Sequence, residues 1–289
     1  MDRPPKGLDQ NLIKKETINF SFGFKSVEGE NHPGRNEDSF IVDREYNLFG
    51  VFDGMGGHAA GDVASNSARD FFYNNIDGLI PRGVPVEQAQ KLLLDLTTKA
   101  NEALSVKSRS NSSHRDMGTT MSLVVMHKEE RGTFAVIVNI GDSRVYKCDV
   151  GGGLEQLSTD DDILEKQSIS SEQKKIISMH LAEAKRLEDL NLDEQELFSR
   201  RNQITQALPG AVHYFSPHAK TVNKGDKILL TSDGIHDNLT HSEIRKILSG
   251  SGSAEDLAKE LVQRAIERSH DGTLRSKTDD MTAVVILCE

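Results

Sequence analysis

Apolar and polar residues alternate along the chain from residue 18 to residue 25. The apolar positions are Ile18, Phe20, Phe22 and Phe24, and the positions between them are polar or glycine. A period of two residues predicts a β-strand with one buried face. Two further short strands are predicted at 39–42 and 48–52, and the turn between them predicts a hairpin.

A spacing of three and four residues between apolar positions predicts helices in the next part of the chain. After the glycine-rich residues 54–61, one helical face carries Val63, Ala64, Ala68, Phe71, Phe72 and Ile76. A second helix is predicted over 86–104, where Pro85 suits the turn at its start. Residues 105–116 are predicted to form a polar loop.

Three β-segments follow at 119–126, 133–139 and 143–148. Their short links favour antiparallel pairing, because a parallel pair needs a long crossover. Residues 160–201 are highly charged, lack the two-residue period and are predicted to be helical from about 162. The remaining pattern predicts strands at 204–208, 227–231 and 283–287, and helices at 242–248 and 254–268.

The order of these elements does not alternate strand with helix. It therefore indicates an α+β fold in which helices pack outside antiparallel sheets. Residues 1–16, which are rich in Pro and Lys, are predicted to be a flexible leader. We expect residues 17–289 to form a single domain that contains the charged segment as an insert.

Charge and cysteine content narrow the class of protein. The formal net charge is -10, so nucleic acid is not an expected partner. No stretch approaches the roughly 18 to 20 apolar residues of a membrane helix, and residues 1–16 lack the apolar region of a signal peptide. Cys148 and Cys288 lie at predicted strand ends, which favours two thiols in a reducing compartment over a disulfide. We expect a soluble, cytoplasmic, monomeric protein that binds neither nucleic acid nor membranes.

Four short acidic clusters lie far apart in the chain, and three of them adjoin predicted strands. They are Asn36-Glu37-Asp38, Asp53-Gly54-Met55-Gly56-Gly57, Ser232-Asp233-Gly234 and Asp279-Asp280-Met281-Thr282. An ionised Asp at a strand end is costly in a core unless a cation or hydrogen-bond donors neutralise it. Several carboxylates that converge from strand ends are what a site for hard divalent cations requires.

Each acidic residue also has a simpler explanation. Asp53-Gly54 is a favoured turn pair, although the Gly54 carbonyl can approach a cation because no Cβ intervenes. A phosphate-binding loop is a third alternative, but the spacing matches neither the Walker pattern nor the dinucleotide pattern. Asp142 lies between two strands, and either a salt bridge to Arg144 or a functional role explains it.

Taken in order, these motifs resemble the metal-dependent serine/threonine protein phosphatases of the 2C type, the PPM family, and its bacterial members most closely. The matching stretches are 36–39, 51–61, 118–120, 139–144, 204–208, 225–234 and 279–282. The resemblance implies a four-layer αββα sandwich, with two antiparallel sheets between helices. It also implies hydrolysis of phosphoserine and phosphothreonine in protein substrates, by a water or hydroxide activated between two divalent cations.

The resemblance further implies a role for each acidic residue. Two Mn²⁺ or Mg²⁺ ions are expected, with Asp53 as the bridge between them and Asp233 and Asp279 on one ion, and these three are the expected catalytic residues. Glu37 and the Gly54 carbonyl are expected on the other ion, with Asp38 either binding it or standing directly behind its ligands. Asp142, with Asp233, matches a third, weaker metal site of the family, and Asp280 is expected to have a secondary role.

The sequence departs from the family pattern in three places. Many members carry an Arg where this chain has Pro33, so we hypothesise that the nearby Arg35 binds the substrate phosphate. Met55 stands where eukaryotic members have a candidate acid His, and His58 is expected to be structural rather than a proton donor. Residues 158–201 fall where the family has a flap, and we hypothesise that this insert gates substrate access or docks a partner.

Two other functions compete with the protein phosphatase interpretation. A metal-dependent phosphohydrolase of small molecules would need the same metal centre. An inactive relative could serve as a regulatory binding module, but such a protein is free to lose acidic residues that cost stability when unpaired. The retained acidic set argues against that last alternative.

Overall fold

The chain is described by a computed structural model over residues 18–31, 33–56, 60–76, 84–210 and 215–289. The predicted leader, residues 1–16, and His58 lie outside these ranges. The division of the chain into a leader and a single domain therefore stays a prediction.

Most of the described strands and helices follow the predicted order. The strands are β1 (Phe20–Val27), β2 (Asp38–Asp43), β3 (Leu48–Met55), β4 (Gly118–Thr119), β5 (Met121–Glu129), β6 (Gly132–Ile140), β7 (Arg144–Cys148), β8 (Leu154–Gln156), β9 (His218–Val222), β10 (Lys227–Thr231) and β11 (Met281–Cys288). The helices are α1 (Gly61–Asn75), α2 (Val86–Ser110), α3 (Ser171–Glu183), α4 (Leu192–Ser199), α5 (Asp233–His236), α6 (His241–Leu248) and α7 (Ala254–Ser269). Short 3₁₀ turns lie at Ser112–His114 and Leu187–Asp189.

These strands form two antiparallel sheets. One sheet has the strand order β1-β11-β10-β7-β8, and the other has the order β2-β3-β5-β6-β9 with β4 beside β3. The pairing of β2 with β3 confirms the predicted hairpin. None of the helices in the described ranges is long and apolar enough to cross a membrane.

Alternate residues of the strands pack on opposite faces, which produces four layers. Val51 of β3 and Leu230 of β10 lie in one apolar cluster between the two sheets. Phe52 packs outward against α1 and α2, and Leu229 packs outward against α6 and α7. The αββα sandwich implied by the resemblance is therefore confirmed, and both sheets are buried on both faces.

The prediction that consecutive strands pair is confirmed for β5 and β6 but is wrong for β6 and β7. β6 pairs with β9, whereas β7 lies in the other sheet beside β10. The three-residue link between β6 and β7 starts at Gly141, whose φ of 93° only glycine adopts without strain. The chain therefore crosses between the sheets at Asp142.

Several predicted boundaries are also wrong. Residues 105–110 continue α2 instead of forming a loop, and the cationic Lys107 and Arg109 suit the last turn of a helix. Residues 204–208 form no strand, because only Leu208 pairs, in an isolated bridge with Thr119. Strands β8 and β9 were not predicted, since they are short and only partly buried.

The insert is helical only from residue 171. The Asp162 carboxylate accepts hydrogen bonds from the backbone N–H groups of Leu164 and Glu165, which favours a local turn over a helix. α3 begins after Ser170, whose side chain forms a capping box with Gln173. These two capping residues are visible in the sequence, but the many charged residues before them led us to predict that the helix begins earlier, near residue 162.

One buried cation attaches the insert to the rest of the fold. The guanidinium of Arg275 donates hydrogen bonds to the carbonyls of Leu181 and Ala184 in the insert and to those of His236 and Leu239 beside α5. Arg275 is only 3% exposed. The insert also has a small apolar cluster of Ala184, Leu190 and Phe198, against which Leu274 packs.

Candidate metal centre

Asp38 and Asp53 are directly opposite each other in the β2–β3 pair. Val51, two residues before Asp53, faces the core between the sheets, so the alternation of the strand turns Asp53 toward the same space. Phe40, two residues after Asp38, packs against that core as well. The hairpin therefore brings two of the four acidic clusters to one end of the sandwich.

Ser232 connects Asp38 with the other sheet. Its hydroxyl donates a hydrogen bond of 2.6 Å to Oδ2 of Asp38. The same hydroxyl accepts a hydrogen bond of 2.9 Å from the backbone N–H of Thr282, at the start of β11. The third and fourth clusters thus meet the first one across the gap between the sheets.

The Asp280 carboxylate binds backbone N–H groups rather than facing the centre of the site. Its carboxylate accepts hydrogen bonds from the backbone N–H groups of Gly29, at 2.7 Å, and of Glu37, at 2.6 Å. This contact positions the segment that carries Glu37. The neighbouring Asp279 instead contacts Lys277, with 3.1 Å between Oδ2 and Nζ.

The pKa shifts of the acidic residues show how closely these groups are gathered. Burial raises the pKa of Asp53 well above its usual value, and four neighbouring carboxylates raise it further, those of Asp233, Asp38, Asp279 and Asp142. Burial and then Asp233 raise the pKa of Asp142 in the same way. Because like charges repel and burial removes water, this cluster is costly without cations.

Lys277 supplies a positive charge that the sequence analysis did not identify. Its ammonium group contacts Asp233 and lies 3.2 Å from Oδ2 of Asp237 as well as close to Asp279. Burial raises the pKa of Asp233 to about 6, although Lys277 opposes this shift. Burial alone would lower the pKa of Lys277, but Asp233, Asp237 and Asp279 raise it well above its usual value, so Lys277 stays charged.

Two buried oxygen atoms of the cluster are available to a cation. Oδ1 of Asp38 and Oδ1 of Asp233 are buried and have no hydrogen-bond partner among the described residues. Buried polar atoms of this kind need an explanation, and a bound ion is one. Carboxylate and carbonyl oxygens are also the ligands that Mg²⁺ and Mn²⁺ prefer, so the residues present fit a divalent cation.

Gly54 is required by close packing at this place. A Cβ at Gly54 would lie 2.3 Å from the carbonyl oxygen of Gly61 and 2.5 Å from that of Glu37. The backbone of Gly54 also donates a hydrogen bond of 3.1 Å to the Glu37 carbonyl. The turn after β3 therefore lies directly against the segment that contains Glu37.

The side chains are not yet arranged around a common point. Within the described ranges, no group of three or more His, Cys, Asp or Glu side chains could hold a metal ion as they stand. Asp233 and Asp279 contact Lys277, and Oε1 of Glu37 lies 2.7 Å from Nη2 of Arg35. Metal binding by these residues therefore requires their side chains to turn away from the two basic groups.

The salt bridge between Asp142 and Arg144, one of the two explanations that the sequence offered for Asp142, is not formed. Arg144 pairs with Asp160 at 2.6 Å and not with Asp142. The next residue, Asp161, accepts a hydrogen bond of 2.9 Å from the backbone N–H of Gly141. Asp160 and Asp161 thus shape the loop that carries the buried Asp142.

Comparisons with known proteins agree with this geometry. The sequence profile described as protein phosphatase 2C matches residues 31–276. The protein phosphatase PhpP of Streptococcus pneumoniae is 28% identical over 216 residues, which cover 74% of this chain and 77% of that protein.

Two solved structures share the fold. The crystal structure of the serine/threonine phosphatase Stp1 from Staphylococcus aureus superposes with a TM-score of 0.73 at 23% identity and covers all of both chains. The catalytic domain of the serine threonine protein phosphatase PstP, solved in complex with two manganese ions, superposes with a TM-score of 0.68 at 24% identity, over 94% of this chain and 99% of that one. With its motifs, its αββα sandwich and a family profile that matches most of its length, the chain belongs to the protein phosphatase 2C family.

Proposed function

We propose that this protein hydrolyses phosphoserine and phosphothreonine in protein substrates with the help of two divalent cations, Mn²⁺ or Mg²⁺. The observation that carries the proposal is the convergence of Asp38, Asp53, Asp233 and Asp279 at one end of the sandwich. The relatives named protein phosphatases and the two manganese ions of the PstP structure support it.

The residues that would hold the cations are those of the acidic cluster. Asp53 would bridge the two ions, Asp233 and Asp279 would bind one, and Glu37 with the Gly54 carbonyl would bind the other. The buried Oδ1 of Asp38 supports a place for Asp38 at or directly behind the second ion. Asp142, whose pKa is raised by burial and by Asp233, would share a third, weaker site with Asp233.

The bound cations would supply the charge that activates water and neutralises the phosphoryl oxygens. The protein's own contribution is to hold carboxylates ready before substrate arrives, so that little rearrangement of charge is left for the reaction. Asp280 and Ser232 do this by holding the backbone of Glu37 and the side chain of Asp38. We infer that Arg35 binds the substrate phosphate, because its guanidinium lies at the edge of the cluster beside Glu37.

The remaining parts of the proposal concern substrate and location. Phosphoproteins are the substrates that the family names support, and small phosphate esters are the second candidate because the same centre would serve them. We also propose a cytoplasmic monomer that binds neither nucleic acid nor membranes. The net charge of -10 and the two buried free cysteines, Cys148 and Cys288, support that setting.

The deciding experiment is a phosphatase assay with and without Mn²⁺, comparing the wild-type protein with Asp233→Asn. We expect hydrolysis that requires Mn²⁺ and falls at least about 100-fold in the variant, since a metal ligand loses its charge. Activity in the presence of a chelator, or full activity of Asp233→Asn, would contradict the proposal. Rates on a phosphopeptide and on a small aryl phosphate, measured side by side, separate the two substrate classes.

A further inference from the structure

The Lys277 side chain lies among carboxylates that the proposed function assigns to metal ions. Its ammonium group contacts Asp233, lies 3.1 Å from Oδ2 of Asp279 and lies 3.2 Å from Oδ2 of Asp237. The lysine side chain is only 13% exposed. A buried ammonium group among three carboxylates is an ion pair with little competition from water, so its contacts are strong.

The backbone shows that this lysine is held in place by the fold. The Asn238 side chain, which is fully buried, accepts a hydrogen bond of 3.0 Å from the backbone N–H of Lys277 and donates one of 2.9 Å to its carbonyl. The same amide donates to the Gly234 carbonyl at 2.8 Å. Asn238 therefore fixes Lys277 relative to the turn that carries Asp233.

Asp237 differs from the other two carboxylates, because it has a second cation. Nε of Arg201, at the end of the insert, lies 3.3 Å from Oδ1 of Asp237. Asp237 thus holds Lys277 from the side of the insert, while Asp233 and Asp279 hold it from the side of the proposed metal site. Lys277 can therefore keep its contact with Asp237 when it loses those with Asp233 and Asp279.

We propose that Lys277 is an internal counter-ion that competes with the divalent cation for Asp233 and Asp279, and that cation binding requires its ammonium group to withdraw toward Asp237. This inference rests on the proposed function, since it takes Asp233 and Asp279 as metal ligands. It has two consequences. Lys277 stabilises the protein without metal, and it lowers the affinity for metal, so activity responds to a higher range of metal concentration.

The test compares Mn²⁺ binding by calorimetry and metal-free thermal unfolding for the wild-type protein, Lys277→Met and Lys277→Arg. We expect Lys277→Met to bind Mn²⁺ about ten-fold more tightly or better and to melt at a temperature lower by roughly 2 to 4 °C or more without metal. Lys277→Arg keeps the positive charge, so its Mn²⁺ affinity should stay closer to that of the wild type than the affinity of Lys277→Met does. Lys259→Met, which removes an exposed lysine of α7 paired with Glu255, should change neither quantity.

A second measurement uses the wild-type protein alone and does not depend on the folding of any variant. Reductive methylation of Lys277, followed by mass spectrometry, should be slow without metal and several-fold faster with Mn²⁺ bound, because two of the three carboxylates then release the ammonium group. Lys259 should react at the same rate in both states. An unchanged rate at Lys277 would overturn the competition, even if Lys277→Met binds Mn²⁺ more tightly through its altered charge.

The outcomes also separate this inference from the proposed function. If the wild-type protein binds Mn²⁺ and hydrolyses a phosphopeptide, but Lys277→Met binds Mn²⁺ no more tightly, only the role of Lys277 is wrong. If neither protein binds Mn²⁺ and neither hydrolyses the phosphopeptide, the proposed function is wrong and this inference falls with it.

Discussion

Ser232 and Asp38 are 194 positions apart in the sequence, and a hydrogen bond of 2.6 Å joins their side chains. Ser232 follows β10 in one sheet, and Asp38 begins β2 in the other. The bond is buried, and in it Oδ2 of Asp38 accepts from the Ser232 hydroxyl. Oδ1 of Asp38 has no hydrogen-bond partner among the described residues. The two sheets are therefore tied together at the proposed metal centre itself.

Replacement of Ser232 by Ala should destabilise the metal-free protein. The change leaves Oδ2 of the buried Asp38 without its donor and removes the acceptor of the Thr282 N–H. We expect the free energy of unfolding to fall by about 1 to 3 kcal/mol, measured by urea denaturation with a chelator present. Ser251→Ala, at an exposed position between α6 and α7, is the matched control. Equal stability of the two variants would show that the bond makes no net contribution to the free energy of unfolding.

Some of this arrangement follows from the sequence alone. The two short predicted strands and the turn between them predict the β2–β3 hairpin, and its register in the structure places Asp38 opposite Asp53. The strand-Asp-Gly motif likewise marks Asp233. Local patterns of this kind report backbone and burial, which is why most elements were predicted correctly, whereas the four-layer arrangement was expected from the family resemblance.

Other features depend on contacts between distant parts of the chain. The crossing from β6 to β7, over the link that begins at Gly141, overrides the usual pairing of consecutive strands. Lys277 was not singled out, because a lysine two residues before Asp279 carries no pattern that predicts its contact with Asp233. Its position depends on Asn238, which was also not singled out. Pairings of charged side chains were therefore the least predictable part of the site.

The stability of the metal-free protein should depend on pH through Asp233. The pKa of this carboxyl is raised by burial from 3.8 to about 6, so the folded protein binds its proton more tightly than the unfolded chain does. A raised pKa of this kind makes the fold lose stability as the pH rises from about 4 to 6. In Asp233→Asn that loss is absent, so the stability of the variant relative to wild type should rise by roughly 2 to 3 kcal/mol across the window.

The measurement is urea unfolding in a chelator at several pH values from about 4 to 7. Asp256→Asn is the control, because hydrogen bonds from Ser253 lower the pKa of Asp256 below its ordinary value of 3.8, so this carboxyl titrates below the measured window. The stability difference between wild type and Asp256→Asn should therefore stay nearly constant across the window. A stability difference between wild type and Asp233→Asn that stays flat across the window would contradict the raised pKa. Saturating Mn²⁺ should remove the effect of Asp233, since the cation keeps the carboxylate charged.

Arg35→Ala should weaken substrate binding more than it slows the chemical step. Arg35 lies 2.7 Å from Glu37 at the edge of the centre and is one-third exposed, so its guanidinium can turn toward a phosphate. We expect KM for a phosphopeptide to rise about ten-fold or more, with a smaller change in kcat, at saturating Mn²⁺. Arg109→Ala, at an exposed position near the end of α2, is the matched control. An unchanged KM would leave Arg35 as a counter-ion of Glu37 alone.

Arg275→Met should loosen the insert. The change removes the Arg275 donors to the carbonyls of Leu181, Ala184, His236 and Leu239, in a place where water does not replace them. We expect the free energy of unfolding to fall by about 2 kcal/mol or more, and amide hydrogen exchange to rise in α3 and α4 but not in α1. Arg264→Met, at an exposed ion pair of α7, should leave both quantities unchanged.

The same variant tests whether the insert selects substrates. If residues 158–201 gate access or dock a partner, loosening them should change the rate on a phosphopeptide several-fold more than the rate on a small aryl phosphate, since only the larger substrate reaches the insert. The Arg201–Asp237 contact joins the insert to the centre, so the aryl phosphate rate should still fall slightly. Deletion of 162–201 should show the same preference more strongly. Equal losses on both substrates, in the point variant and in the deletion, would mean that the insert supports the centre without selecting what enters it.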